Sequence, residues 1–343
     1  MFYLQQISLC RMKKILIIQT AFIGDAVLAT AIAEKIHTTH PEWIIDFMVR
    51  KGNEGLLSNH PYINEVIIWD KQGAKYINLF KLLLRIRKTQ YSIVVNAQRF
   101  AATGILTAFS GARLTIGFDK NPLSFLFKKK IKHVVSTTKE TIHEVERNQL
   151  LIESFTDKVY SLPKLYPSAK DDAKVAPLKS KSYITIAPSS VWKTKQFPKK
   201  KWIEFLNTLP KDLVVYVLGA PTEKNGCEKI MSRSLNPLVI NMAGELTFLQ
   251  SASLMKDAVM NYVNDSAPLH FATAMQAPVT AIYCSTIPEF GFGPLGPKGK
   301  VVQATEILTC KPCGLHGLKA CPETHFKCAF LIQSEQLLAN LPK

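Results

Sequence analysis

The 343-residue sequence contains no apolar run of the roughly 18 to 20 residues needed to cross a bilayer, and its start lacks the small-residue cleavage pattern of a secretory signal. These two absences predict a cytoplasmic protein. Acidic residues are also scarce, because 26 Asp and Glu stand against 43 Lys and Arg, for a formal charge of +17. That excess favours acidic partners, namely nucleic acids, anionic lipid surfaces or phosphorylated substrates.

Several functional motifs are missing as well. No G-x-G-x-x-G fingerprint follows the first strand pattern, which disfavours a nicotinamide or flavin enzyme. No helix-turn-helix, aromatic RNA-binding motif or paired zinc finger is present, so nucleic acid is not expected as a partner. No Asp-x-Asp cluster is available to carry a catalytic metal ion, and no cofactor is therefore predicted to be required.

Strand and helix patterns alternate along the chain. A short apolar run at 13–19, a helical pattern at 26–38 and a second apolar run at 44–49 form a strand-helix-strand unit, and the alternation restarts at 183–187. The other predicted strands are at 66–69, 93–95, 213–218, 258–261 and 279–283. Such alternation predicts a doubly wound α/β fold. We expect two Rossmann-like domains that face each other across a cleft, because one core rarely serves more than about 300 residues.

The predicted boundaries follow from these patterns. The N-terminal domain is placed at 12–162, and it includes a helix at 141–155. A linker rich in Pro, Lys and Asp, without periodicity, follows at 163–181. The C-terminal domain is placed at 182–330, with a C-terminal helix at 331–343. The leader 1–11 is excluded, since Met12 directly precedes the first strand and is a candidate start.

The loop after the first strand carries the first candidate residue, Asp25. Ligands bind at the carboxyl edge of a doubly wound sheet, and this loop opens there onto a helix. Asp25 is therefore interpreted either as the N-cap of that helix or as a general base.

A second candidate region begins the second half, where Ser189, Ser190 and Lys195 lie between a strand and a helix. Hydroxyl groups and a point charge at such a crossing suit phosphate oxygens. A third region, Asp265, Ser266 and His270, lies where a strand passes into a helix of small residues. These residues either cap and pack that helix or form an anion site at its positive end.

Four segments together resemble the ADP-heptose:lipopolysaccharide heptosyltransferases of glycosyltransferase family nine. They are FIGDAVLATA at 22–31, APSSVWKTKQFPKKKW at 187–202, LGAP at 218–221 and NDSAPLHFATAM at 264–275. The resemblance implies the GT-B architecture and transfer of heptose from ADP-heptose to the lipopolysaccharide inner core, with inversion at the anomeric carbon. The alternative is a GT-B transferase for another nucleotide sugar, such as an N-acetylhexosamine.

The resemblance also implies residue roles. Asp25 becomes the base that deprotonates the acceptor hydroxyl, and Lys195 neutralises the diphosphate. The remaining residues implied to bind the nucleotide sugar are Ser189, Ser190, Glu223, Asp265, Ser266, Ala267 and His270. Ala267 departs from the family pattern, because many members have Gly there, and its Cβ narrows the approach to phosphate.

The acceptor side is marked by two cations. Lys51 follows the second strand and Arg99 the fourth, so both are candidates for binding acceptor carboxylates or phosphates, or else are surface charges. The lysine runs at 128–130 and 199–201 are either solvated surface or a patch that faces an anionic inner membrane. Peripheral contact with that membrane is therefore expected.

Cysteines cluster near the C-terminus at Cys310, Cys313, Cys321 and Cys328, with His316 and His325 among them. A C-x-x-C pair followed by two more cysteines resembles a tetrahedral zinc site, although the outer spacing is not that of a zinc ribbon. Structural zinc, free thiols that pack a loop, and a disulfide all remain open.

Overall fold

The first half of the chain forms a six-stranded parallel sheet. The computed structural model describes residues 13–134, 136 and 141–342. The sheet has the order β3-β2-β1-β4-β5-β6. Its strands are β1 (Lys14–Ile18), β2 (Ile44–Arg50), β3 (Ile63–Trp69), β4 (Ile93–Asn96), β5 (Leu114–Phe118) and β6 (Lys129–Ile131).

Four helices accompany this sheet: α1 (Ile23–Thr39), α2 (Lys75–Thr89), α3 (Ala101–Ala108) and α4 (Glu144–Gln149). β1 has four consecutive buried residues and β4 is buried throughout, as expected of strands covered on both faces. The order of strands places the switch point between β1 and β4, above which the loop of Asp25 lies.

The second half repeats this arrangement with the order β12-β11-β10-β7-β8-β9. The strands are β7 (Tyr183–Ala187), β8 (Val214–Val217), β9 (Val239–Asn241), β10 (Met260–Asn264), β11 (Val279–Tyr283) and β12 (Gly299–Gln303). The helices are α5 (Ala169–Val175), α6 (Lys199–Thr208), α7 (Lys224–Met231), α8 (Phe248–Lys256), α9 (Ala267–Ala274), α10 (Lys327–Phe330) and α11 (Ser334–Leu338). Two parallel sheets with the same strand order confirm the predicted Rossmann-like α/β architecture.

Helix α1 of the first half lies directly against α9 of the second. Ala26, Ala29 and Ala33 of α1 are fully buried and belong to the same apolar cluster as Leu269 and Ala272 of α9. Small side chains let the two backbones approach closely. The helix starts, and with them the candidate catalytic loops, are thereby held next to each other.

Some elements differ from the sequence prediction. The helix expected at 141–155 is limited to α4, and turns continue from it to residue 155. The stretch expected to be an aperiodic linker contains α5, which packs against α8 with Val175 fully buried. The C-terminal helix expected at 331–343 is the five-residue α11, which packs against α6.

Four strands, β5, β6, β9 and β12, were not among the predicted elements. Predictions about the leader 1–11 and the start at Met12 fall outside the described residues. Within the part of the chain that is described, no helix combines the length and apolar character needed to span a membrane.

Candidate active site

Asp25 lies in the first turn of α1, where the N-cap residue is Phe22. The interpretation of Asp25 as the N-cap itself is therefore wrong, because the helix begins at Ile23 rather than at residue 26. Burial raises the pKa of the Asp25 carboxyl, and hydrogen bonds from backbone N–H groups and the charges of His316 and Lys195 oppose that rise. A carboxyl with a raised pKa is better suited to accept a proton near neutral pH.

Lys195 is held by a largely buried ion pair. Its Nζ lies 2.6 Å from Oδ2 of Asp265, and both side chains are mostly withdrawn from solvent. The Thr286 hydroxyl donates a hydrogen bond of 2.7 Å to the same carboxylate oxygen. Asp265 thus orients the Lys195 ammonium group.

No side-chain hydrogen bond caps the start of α9. Ser266 is its N-cap, and its side chain makes no capping hydrogen bond to the helix. Asn264, two residues before Ser266, holds the loop that follows β7. Its Nδ2 donates to the Pro188 carbonyl at 2.8 Å, and its Oδ1 accepts from the Phe197 N–H at 3.0 Å. Asn264 was missed as a positioning residue, although it begins the NDSAPLH segment.

Ser189 and Ser190 lie half-buried in that fixed loop. The Gln196 amide donates to the Ser190 carbonyl at 2.6 Å, which joins the serine segment to the turn of Lys195. Glu223 lies farther along the chain after β8, and its carboxylate accepts the Ala220 N–H at 2.7 Å. In this arrangement Glu223 caps its own turn.

His270 packs across the junction of the two halves. It is buried, and an ideal Cβ on Gly24 would lie 2.7 Å from its Cδ2. Burial lowers the pKa of His270 to about 3, so the imidazole is neutral at physiological pH. The Gly-Asp pair of the first loop therefore has a packing reason: only Gly at 24 lets α1 meet α9 at this ring. Ala267, the departure from Gly, lies beside the same contact.

The loop that contains the clustered cysteines packs against the turn of Lys195. Two hydrogen bonds join Thr194 and Leu318. The Thr194 N–H donates to the Leu318 carbonyl at 3.1 Å, and the Leu318 N–H donates to the Thr194 hydroxyl at 2.8 Å. Gly317 has φ of +77°, and an ideal Cβ there would lie 3.1 Å from Cγ of Lys195. A positive φ and this close approach both favour Gly.

This loop brings His316 to the site, a residue considered from the sequence only as a neighbour of the cysteines. Partial burial and the charges of Lys195 and Arg99 lower the pKa of His316, while Asp25 and Asp265 raise it. His316 therefore lies within electrostatic reach of both candidate catalytic residues.

The comparisons with known proteins identify the family of the chain. The profile described as Glycosyltransferase family 9 (heptosyltransferase) matches residues 79–318. The chain belongs to glycosyltransferase family 9. This confirms the resemblance drawn from the four segments.

Among curated family 9 relatives, the chain is similar to lipopolysaccharide heptosyltransferase 3 of Escherichia coli, with 25% identity over 77% of this chain and 82% of that protein. It is also similar to lipopolysaccharide heptosyltransferase 1 of Campylobacter coli, with 26% identity over 80% and 84%. Among solved structures, the E. coli ADP-heptose lipopolysaccharide heptosyltransferase II has a TM-score of 0.77 at 21% identity, covering 96% of this chain and 97% of that one. The fold is that of the GT-B heptosyltransferases.

Of the two cations predicted to bind the acceptor of this family 9 enzyme, Lys51 is exposed and its Nζ forms an ion pair of 2.7 Å with Asp70. The preceding residue, Arg50, instead lies over the ring of Phe22, 5.0 Å from its centroid, and its Nε has no hydrogen-bond partner among the described residues. Lys71 donates from Nζ to the Thr20 carbonyl at 2.6 Å.

Lys71 is half-buried, and burial together with the charges of Arg50 and Lys75 lowers its pKa to about 8. These cations thus form a cluster beside the loop of Asp25. Arg99 is exposed, and its charge acts on His316 and on the buried Glu144. The sequence prediction named Arg99 but missed Arg50 and Lys71.

Glu144 is a second carboxyl near Asp25. Burial and the Asp25 charge raise its pKa to about 7, against the opposing effect of its ion pair with Arg147. Its backbone N–H donates to the Gly291 carbonyl at 2.8 Å, which ties α4 to the second half of the enzyme.

The cysteines of the C-terminal loop form no disulfide: Cys310, Cys313, Cys321 and Cys328 are all free. Over residues 13–134, 136 and 141–342, no group of three or more His, Cys, Asp or Glu side chains is arranged to hold a metal ion. Burial raises the pKa of the Cys328 thiol to about 11, which keeps it protonated.

Proposed function

We propose that this family 9 glycosyltransferase transfers heptose from ADP-heptose to the inner core of lipopolysaccharide, with inversion at the anomeric carbon. The observation that carries the proposal is the junction of Asp25 with the Lys195–Asp265 ion pair at the starts of α1 and α9. The names of the similar curated proteins, all lipopolysaccharide heptosyltransferases, support the choice of sugar.

The proposed reaction is a direct displacement. An acceptor hydroxyl attacks the anomeric carbon of the heptose while Asp25 takes its proton, and the bond to the diphosphate of ADP breaks. Lys195 and the N-terminus of α9 stabilise the charge that develops on the leaving ADP. Asp265 and Thr286 keep the Lys195 ammonium group in place during this step.

The donor is held by residues on the second half. Ser189, Ser190 and Ser266 supply hydroxyl and backbone N–H groups for the diphosphate, and Ala267 and His270 border the sugar. Glu223 is proposed to contact the ribose from the turn that it caps. No metal ion is required in this scheme, because Lys195 and the helix dipole supply the positive charge.

The acceptor is acidic in this proposal, since inner-core sugars carry carboxylates and phosphates. Arg50 and Lys71 are its best-placed partners, because both side chains lie beside the loop of Asp25. Arg99 adds a third cation on the His316 side of the site. Lys51 contributes less, since Asp70 already neutralises it.

The acceptor of such an enzyme is a membrane amphiphile. We therefore also propose that the protein binds peripherally to an anionic membrane, in keeping with its formal charge of +17.

A thermal-shift panel tests the donor. ADP and ADP-heptose are expected to raise the melting temperature more than UDP-sugars do, because a ligand that binds only the folded state stabilises it. Equal or larger shifts with UDP-sugars would favour the alternative, a GT-B transferase for another nucleotide sugar.

A matched pair of variants in the same thermal-shift assay tests whether ADP binds at Lys195. Lys195→Gln keeps a hydrogen-bond donor for Asp265 but removes the charge, so the ADP-induced shift should fall. Lys193→Gln, two residues away and exposed, removes the same charge outside the ion pair and should leave the shift unchanged. Equal effects of the two variants would contradict the role of Lys195.

A further inference from the structure

Helix α2 exposes an apolar face to solvent. Tyr76, Ile77, Phe80 and Leu84 are 79%, 58%, 60% and 51% exposed. Residues 76, 80 and 84 are spaced at four-residue intervals, so they form one stripe along the helix, and Ile77 lies at its side. The opposite side of the helix, Leu79, Leu82 and Ile86, is buried in the core of the first half. α2 is thus apolar on two faces, and only one of them is needed for the fold.

The charged residues of helix α2 itself are all positive. The helix contains five basic residues and no acidic one: Lys75, Lys81, Arg85, Arg87 and Lys88. Arg85 pairs with Glu65 of β3 at 2.5 Å, and Arg87 donates to the Phe109 carbonyl at 3.0 Å. Phe109 is itself exposed, so the apolar surface extends beyond the helix to the end of α3.

This composition is that of a helix that lies in the plane of a membrane surface, with large apolar residues directed towards the acyl chains and Lys and Arg at the level of the headgroups. Single exposed apolar residues are ordinary on soluble proteins, but a contiguous stripe within a basic helix is not. An anionic bilayer satisfies both its features, because it offers an apolar layer beneath a negatively charged surface.

The position of α2 relative to the candidate active site supports the same partner. β3 ends at the carboxyl edge of the sheet and α2 starts six residues later, so Tyr76 and Ile77 lie at the edge that carries Asp25. The connection between them is bonded to the first loop, since Lys71 donates to the Thr20 carbonyl at 2.6 Å. A membrane beneath α2 would therefore present its lipid headgroups beside the Arg50–Lys71 cluster.

We propose that the α2 surface, formed by Tyr76, Ile77, Phe80, Leu84 and Phe109 with the flanking lysines and arginines, docks the protein on an anionic lipid bilayer. The proposal rests on the proposed function only in that the acceptor is a membrane amphiphile. The surface holds the enzyme with the loop of Asp25 towards the membrane, where an acidic headgroup reaches the cluster without leaving the bilayer.

Sedimentation with lipid vesicles tests the surface without any sugar transfer. The full chain is mixed with vesicles of phosphatidylcholine alone and with vesicles that also contain about one-quarter phosphatidylglycerol. We expect binding to the anionic vesicles only, and weakening of that binding at high salt.

Two pairs of variants separate the apolar and electrostatic parts. Phe80→Gln with Leu84→Gln should weaken binding about tenfold or more, because two exposed apolar side chains no longer enter the bilayer. Lys81→Gln with Lys88→Gln should weaken it about fivefold for each lysine removed. All four positions are exposed, and unchanged melting temperatures will show that the variants fold.

Matched controls remove equivalent groups elsewhere. Leu235→Gln with Ile307→Gln changes two exposed apolar residues of the second half, and Lys298→Gln with Lys300→Gln makes the same change of charge. Neither control should alter vesicle binding. Equal losses in controls and α2 variants would show that vesicle binding does not depend on the α2 surface and would overturn the proposal.

Two other results would also overturn it. Wild-type protein that binds neither vesicle has no lipid-docking surface, and a change in oligomeric mass of the α2 variants at unchanged vesicle binding would show that the face contacts a second copy. A failure of the donor proposal can be distinguished from these results. Vesicle binding through α2 by a protein that shows no preference for ADP-sugars would support the α2 surface and contradict the proposal of heptose transfer.

Discussion

The imidazole of His316 lies among opposite charges, with Lys195 and Arg99 lowering its pKa and Asp25 and Asp265 raising it. Because the net effect with partial burial is a lowered pKa, the ring is neutral at physiological pH and can donate one hydrogen bond. Because His316 lies within electrostatic reach of Lys195 and Asp25, we expect it to donate this bond to the diphosphate or to the acceptor hydroxyl.

His316→Ala is therefore expected to lower the transfer rate by about tenfold or more, the range of a lost hydrogen bond to a charged group. His325→Ala is the matched control, since His325 belongs to the same loop and its Nδ1 accepts only the nearby Lys327 N–H. Steady-state kinetics of sugar transfer by both variants measure this difference. Equal rates for the two variants would mean that His316 has no part in the reaction.

Lys71 gives the acceptor side a pH dependence. With its pKa lowered to about 8, it is charged below that pH and neutral above it. Binding of an acidic acceptor should therefore weaken as pH rises through about 8, and Lys71→Gln should bind weakly at all pH values without that transition. Acceptor titrations between pH 6 and about 9.5 measure this.

Lys51→Gln serves as the control for Lys71. Hydrogen bonding to Asp70 raises the pKa of Lys51, so it stays charged throughout the same range. Its replacement should leave the transition in place. A transition that persists in Lys71→Gln and disappears in Lys51→Gln would reverse the assignment.

At the scale of elements, the contact between α1 and α9 depends on Gly24. A Cβ at this position would lie 2.7 Å from the buried ring of His270, so either that ring or one of the two helices must shift. Gly24→Ala is expected to destabilise the protein by about 1–3 kcal/mol and to lower turnover.

Gly55→Ala is the matched substitution for Gly24, since a Cβ there meets nothing within 4 Å. It should leave stability and turnover close to wild type. Chemical denaturation and transfer assays compare the two. A Gly24 variant as stable and active as the Gly55 variant would show that the helices adjust freely.

A second prediction at this scale concerns metal binding by the loop that contains the four clustered cysteines. Because no three of the His, Cys, Asp and Glu side chains in the described residues are arranged to share a metal ion, we expect free thiols that pack the loop. A metal chelator should change neither the melting temperature nor the transfer rate. Metal analysis showing about one zinc per chain, lost with stability in Cys313→Ser, would instead establish the structural-zinc alternative.

The elements that sequence patterns predicted well are the buried ones. β7 and β11 are buried at every position, and the apolar runs at 183–187 and 279–283 coincide with them. β6 reads Lys-Lys-Ile and lies at the edge of its sheet, so it has no apolar run to reveal it. α5 was missed for a related reason, since only Val175 of its seven residues is buried.

At the scale of the whole molecule, the candidate active-site residues that directly follow strands could be predicted from the sequence. Asp25, Lys195 and Asp265 come after β1, β7 and β10, the central strands of the two sheets, whose carboxyl ends bring them together. His316 was not predictable in this way, because its position depends on hydrogen bonds between Thr194 and Leu318, 124 residues apart.

The acceptor cations show the same limit of local patterns. Arg50 ends β2 and Lys51 follows it, and only the packing against the Phe22 ring decides which of the two lies over the first loop. The domain limits at 162 and 182 stay predictions, since the segment between them packs on both halves: Lys164 and Tyr166 contact Glu34 of α1, and α5 contacts α8.

The most direct measurement of the proposed reaction is the rate at which heptose from ADP-heptose joins an inner-core acceptor, followed by mass spectrometry for wild type and Asp25→Asn. We predict transfer by wild type and a rate roughly a hundredfold to ten-thousandfold lower for the variant, with ADP affinity nearly unchanged, because the base acts in the transition state. Circular dichroism and ADP titration establish that the variant is folded. A folded Asp25→Asn that transfers heptose at a near-normal rate, or a wild type that transfers none, would contradict the proposed mechanism.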